Sequence, residues 1–260
     1  MKIRVLLVFL AIFIYGSLVF AQSFGVKQRT LRPHEYGNVV MNNVSEKNEV
    51  APVVFNHWLH RALYTCRVCH VDLGFAMKAG ATGVTEDDNK RGIYCGACHN
   101  GKEAFGPEGK DVIGKVTKNC YRCHSYNKKV KLEKDFYEYT KNYPKSRFGN
   151  KVDWIAAEEA GIVKLKDYLE GITIKRKPLT MTKNIDMKSK EIGMPDIIYS
   201  HTKHTIWNGC ELCHPEIFGA RKGSTKFNMQ DVFEGKYCGS CHGKVAFPNN
   251  DCQLCHTKEV

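Results

Sequence analysis

The sequence predicts a mostly irregular fold with short α-helices and minimal β structure, built as two tandem modules. Three observations predict it. First, all twelve cysteines fall in six C-x-x-C-H units. These are Cys66-Cys69-His70, Cys95-Cys98-His99, Cys120-Cys123-His124, Cys210-Cys213-His214, Cys238-Cys241-His242 and Cys252-Cys255-His256. Second, residues 50–70 lie over residues 194–214 with a constant shift of 144 and no gap. Third, six units in 260 residues is roughly one per 40, too dense for a conventional apolar core.

A C-x-x-C-H unit reads as a covalent c-type haem attachment site. Its two thiols bond the two vinyl groups on one porphyrin edge, and the histidine that follows reaches the iron. Zinc ribbons need no histidine after every second cysteine. Redox dithiols come singly, near a βαβ pattern that is absent here. The twelve cysteines are therefore assigned to six haem c groups, with His70, His99, His124, His214, His242 and His256 as proximal iron ligands. No thiol is left for a disulfide. The haems themselves are expected to be the core, with Trp58, Tyr64, Tyr94, Phe105, Trp207, Tyr237 and Phe247 against porphyrin edges. The apoprotein is expected to be unfolded.

In chain order, residues 1–21 carry Lys2 and Arg4, then an apolar run, then small residues. They read as a secretory signal peptide cleaved after Ala21, with Val19 and Ala21 meeting the small-residue rule. Export to the periplasm suits c-type haem, and no stable membrane span is expected after cleavage. Residues 22–49 read as an irregular polar arm whose His34 is a candidate iron ligand. Residues 50–127 form module 1. Val53-Val54-Phe55 reads as a short strand, and His57 and His60 follow on a helical turn that puts both imidazoles on similar faces. Module 2 spans 194–260 and repeats this with Ile197-Ile198-Tyr199, His201 and His204. Residues 93–105 over 236–247 and 119–124 over 251–256 complete the repeat. Module 1 carries an extra loop at 108–118.

Residues 128–193 form a linker without cysteine or histidine. Residues 151–171 predict one or two short helices, with Asp153 as N-cap and Gly161 as stop. Trp154, Ile155, Ile162, Val163, Leu165 and Leu169 are expected to pack this segment onto a module. Residues 175–193 read as basic and irregular. The chain carries a net charge of +12, of which Lys2 and Arg4 contribute two. Each ferric haem brings two propionates against one positive charge, so six haems add about −6. The basic balance is therefore mild, and nucleic acid is not an expected partner.

A Phe/Tyr-x-His-x-x-His stretch followed by three C-x-x-C-H units resembles the class III multihaem cytochromes c, and most closely the triheme c-seven type related to c-three. Both modules share the resemblance, and the linker does not. It implies two tandem triheme cytochrome modules. It implies iron pairs His57 with His70, His60 with His99, His201 with His214, and His204 with His242. It also implies a further histidine before the second unit, where this chain has Arg91 and Glu234. Eleven histidines less six proximal ones leave five for six distal positions. His34, Met77 and Met229 are the candidates for the vacant ones. A methionine would raise the reduction potential relative to a bis-histidine haem.

The expected function is electron transfer between respiratory redox partners, such as periplasmic or membrane-bound cytochromes and reductases. One alternative is a haem enzyme reducing a small nitrogen or sulfur substrate at a haem without a distal ligand. The other is a subunit of a larger haem assembly.

Overall fold

The two His-x-x-His segments fold alike in the computed structural model, which describes residues 30–110, 112–130, 135–177, 183–189 and 193–258. The predicted signal peptide lies outside the described residues. Strand β1 (Asn38–Met41) pairs antiparallel with β2 (Val53–Asn56), and helix α1 (His57–Arg61) follows directly. The β-branched Val-Val pairs suit a half-buried ribbon. Helix α2 (Glu86–Lys90) is closed by a capping box between Thr85 and Asp88. The extra loop of module 1 is a hairpin of β3 (Glu108–Lys110) and β4 (Val116–Lys118), paired antiparallel, and α3 (Cys120–Cys123) carries the third unit.

The linker supplies α4 (Phe136–Tyr139) and α5 (Trp154–Glu159). As predicted, the Asp153 side chain caps α5 by accepting from Ala156 N at 3.0 Å, and Gly161 turns the chain away with a positive φ. In module 2, β5 (Ile185–Met187), β6 (Asp196–Tyr199) and β7 (His256–Lys258) make a three-stranded antiparallel sheet in the order β5-β6-β7. Helix α6 (His201–Asn208) follows β6, and α7 (Met229–Phe233) has a capping box between Asn228 and Asp231. Most of the remaining backbone is turn and irregular loop, as predicted.

Three expectations are corrected. The arm is not irregular where it is described, because Asn38–Met41 is a strand. Residues 175–193 likewise contain β5. Both strands escape notice because three or four residues are too few to show alternation without a partner. Nor are the haems the whole core. Trp58, Ala62, Phe136, Tyr143, Val152, Trp154, Ala157, Val163 and Trp207 form one buried apolar cluster. Trp58 is 1% exposed and meets Phe136 edge-on at 5.1 Å, so it packs on protein. Trp207 does the same, donating Nε1–H to Glu158 Oε2 at 2.6 Å.

The linker is therefore the shared core of both modules. Trp154 and Val163 pack as expected, Leu169 joins Val68 and Ala97 in a smaller cluster, and Leu165 is partly buried. Ile155 and Ile162 face solvent instead. Lys166 N donates to Leu63 O at 2.8 Å, and Thr65 N returns to Lys166 O at 3.0 Å, lacing the linker beside the first attachment unit. Arg67, 2% exposed, binds Asp72 at 2.9 Å and Asp167 at 3.0 Å. Among the described residues no helix is long and apolar enough to cross a membrane.

Replacing Trp154 by alanine removes the ring between the modules and is expected to cost about 3–5 kcal/mol. Ile155→Ala, at 41% exposure, should stay within about 0.5 kcal/mol. Chemical denaturation of the holoprotein measures both.

Candidate haem centres

Each attachment unit is a tight turn. The histidine N–H returns to the carbonyl of the first cysteine in four of them: His99 to Cys95 at 2.8 Å, His124 to Cys120 at 2.9 Å, His214 to Cys210 and His242 to Cys238 at 3.0 Å. The second unit of each module is held with particular closeness. Tyr94 and Tyr237 precede it with φ of 52° and 50°, conformations costly for a side-chain residue. A Cβ on Gly96 or Gly239 would lie 2.0 Å from Asn89 O or Val232 O, so only glycine lets the turn sit against α2 and α7.

The histidines share one feature. Ten of the eleven place Nδ1 within hydrogen-bond distance of a backbone carbonyl. His57 meets Gly37 O at 2.7 Å, His60 meets Asn56 O at 2.9 Å, His201 meets Lys183 O at 3.2 Å and His204 meets Ser200 O at 2.8 Å. Of the proximal group, His70 meets Phe75 O at 2.9 Å, His99 Phe105 O at 2.9 Å, His214 Phe218 O at 2.6 Å and His242 Phe247 O at 3.1 Å. His124 meets Ala51 O, and His256 meets the equivalent Pro195 O, both at 2.7 Å. A carbonyl only accepts, so Nδ1 carries the proton and Nε2 keeps a free lone pair for a metal. Burial pushes His57, His60 and His242 down to about 4, which keeps these rings neutral.

Three of the four expected pairs face each other. Ring centroids are 6.4 Å apart for His57 and His70, 6.3 Å for His60 and His99, and 6.2 Å for His204 and His242. Two metal–nitrogen bonds of about 2 Å plus a ring radius of about 1.1 Å on each side come to about 6.2 Å. The residues thus fit an iron between each pair of rings. Among the described residues His201 and His214 make no ring contact with each other, although each keeps its carbonyl.

The other candidates fare differently. His34 lacks the carbonyl pattern, and its Nδ1 meets the Tyr137 hydroxyl at 3.1 Å. Met77 is 39% exposed in a bend. Met229 opens α7, where the equivalent residue of module 1 is Glu86 at the start of α2. Arg91 and Glu234 form surface ion pairs, with Asp87 at 2.9 Å and Lys236 at 2.8 Å. Two methionines that the sequence reading passed over are Met41 and Met187, which end β1 and β5 opposite Val53 and Ile197. Their signal is a short Asn-Val/Ile-x-Met repeat at 38–41 and 184–187, offset by 146 and so out of step with the main repeat. A second missed signal is the phenylalanine after four of the units, whose carbonyl holds the histidine.

The units also lie near one another. Burial raises the Cys95 and Cys238 thiols to about 11, with the neighbouring Cys123 and Cys255 adding to it. Burial raises Cys241 to about 12, and Cys66 of the other module adds to that shift. The first unit of module 1 is thus beside the second unit of module 2, while Cys120 and Cys252 are exposed.

Gly96→Ala should drive the second turn off α2 and lower the haem complement from six to five, read by intact mass. Burial holds His57, His60 and His242 down to about 4, against 6.5 for an ordinary imidazole, and iron on Nε2 would resist protonation further. The unfolded chain binds more protons below the ordinary imidazole value, so stability should fall as pH drops below about 6.5. Denaturation midpoints at pH 7 and pH 5 check this.

The family model described as cytochrome c7 and related cytochrome c matches residues 53–125 and 197–257. Among solved structures, a C-terminal hexahaem fragment of GSU1996 is 28% identical over 85% of this chain and 96% of its own, with a TM-score of 0.27. A c7-type three-heme cytochrome domain is 39% identical over 31% of this chain and 99% of its own, with a TM-score of 0.27. The dodecahaem cytochrome GSU1996 is 26% identical over 85% of this chain and 74% of its own, with a TM-score of 0.28. No curated protein matches. The family match spans more than half of the chain and falls on both modules, so this chain belongs to the cytochrome c7 and related cytochromes, as a multihaem electron-transfer protein with haem c at its C-x-x-C-H units.

Proposed function

We propose that this chain is an exported six-haem electron carrier working in the periplasm between respiratory redox partners. The observation that carries the reading is the set of imidazoles held by backbone carbonyls, three pairs of which lie with ring centroids 6.2 to 6.4 Å apart. A closed, six-coordinate iron exchanges electrons and binds no substrate. Bound haem c supplies a one-electron ferric/ferrous couple. The chain's part is to hold ligands, exclude water and place the centres close together. The cysteines fix each porphyrin edge. His70, His99, His124, His214, His242 and His256 are the proximal ligands. His57, His60, His201 and His204 are the distal ligands of the first two haems of each module, each kept in one tautomer by its carbonyl.

Met41 and Met187 are the distal ligands of the third haems. In module 2 the register places Met187, Ile197 and His256 side by side across β5, β6 and β7, so their side chains share one face. In module 1, His124 bonds to Ala51 O and Tyr126 N to Pro52 O, which holds the third unit against the start of β2. Export rests on the apolar, lysine- and arginine-led segment at 1–21. Partners are other redox proteins, met through small and transient interfaces. Each module begins at its methionine strand, ahead of the 50 and 194 boundaries.

Absorption, EPR and carbon monoxide binding test the assignment on the purified holoprotein. Six low-spin haems and no carbon monoxide adduct are expected, with a methionine–iron charge-transfer band that weakens in Met41→Ala and in Met187→Ala. His57→Ala should open one iron and bind one carbon monoxide per chain. High-spin haem that binds carbon monoxide in the unaltered protein would overturn the carrier reading in favour of a reductase acting on a small nitrogen or sulfur substrate.

A further inference from the structure

Two arginines lie near the seam between the modules, and they differ in one respect. Arg67 has carboxylate partners in Asp72 and Asp167. Arg61, the last residue of α1, has none among the described residues. Its Nη1 donates to Val245 O of module 2 at 2.5 Å. Its guanidinium carbon lies 4.6 Å from the Trp154 ring centroid and 5.1 Å from that of Trp207. Val245 N in turn donates to Cys241 O at 2.9 Å, and Cys66 packs against the cluster that contains both indoles, so the guanidinium lies between those two attachment units. Its charge is felt at Cys66, Tyr36 and Cys241, and at His57 and His242. A positive charge held between indoles, with no carboxylate paired to it among the described residues, is screened far less than one in water. At the equivalent position of module 2 stands the neutral Thr205.

We propose that Arg61 is a potential-setting cation shared by the haem attached at Cys66 and Cys69 and the haem attached at Cys238 and Cys241. Adding an electron to a ferric haem removes a positive charge, so a fixed cation nearby favours the reduced form. Arg67 has no such effect, because its carboxylates cancel it. The two modules, nearly alike in ligands, are made unequal at this seam. The inference depends on haem attachment alone and not on the distal-ligand assignments.

The test is a redox titration of six-haem holoprotein, with haems assigned by NMR and the haem count checked by intact mass. In Arg61→Gln the two named haems should become harder to reduce by about tenfold in their reduction equilibrium, ~59 mV for one electron. The other four should not move, and Arg61→Lys should keep values near the unaltered protein. No shift in Arg61→Gln, or equal shifts in Arg61→Gln and Arg61→Lys, would reduce Arg61 to a clamp between Val245 and the two tryptophans. Should Arg61→Gln lose a haem, Thr205→Arg decides the matter. A cation there must raise the potential of the haem at Cys210 and Cys213, and an unchanged potential rejects the proposal.

Discussion

A hydrogen bond from histidine Nδ1–H to a backbone carbonyl is the constraint on which the rest of this structure depends. It fixes the tautomer, aims the ring and leaves Nε2 free. Ten such bonds need ten carbonyls at chosen points, and a carbonyl in mid-helix or mid-ladder is already committed. Most come from loops: Gly37, Ala51, Phe75, Phe105, Lys183, Pro195, Phe218 and Phe247. A chain that must offer so many free acceptors at chosen points has little use for long regular elements. The irregularity of the fold is therefore a condition of the site. Phenylalanine serves twice at two of these points, since the Phe105 and Phe247 rings also lie 4.5 and 4.1 Å from the imidazoles their carbonyls hold.

Much of this was legible in the sequence, because the haem chemistry is local. Six C-x-x-C-H units, the 144-residue repeat, the strands before His57 and His201 and the Asp153 cap all follow from short-range pattern. What was not legible depends on contacts between distant segments. Strands β1 and β5 need their partners to be recognised. Trp58 and Trp207, read as porphyrin neighbours, turn instead to the linker, and sequence spacing does not show which way an indole faces. His34 and Met229 looked plausible by residue type. The fold gives His34 a tyrosine hydroxyl in place of a backbone carbonyl and sets Met229 at the start of α7.

The linker was the least informative stretch to read and proves to be the most connected. It has no cysteine or histidine to draw attention to it. Its aromatic and small apolar residues were visible, but their target was not, because a buried cluster drawn from three parts of the chain has no periodicity. Asn150 shows how local detail serves that cluster: its Oδ1 accepts from Trp154 Nε1 at 3.2 Å and from Val152 N at 3.3 Å, satisfying the indole on which both modules rest.

That shared indole bears on how the duplicated gene can change. A tandem repeat invites the view that either copy is a cassette, free to be deleted, shuffled or extended. Here one tryptophan from each copy is sheltered by the same foreign segment. Losing one copy would strip the other of its cover and leave large aromatic faces in water. Shrinkage to a single triheme unit would therefore require the linker to be rebuilt with it.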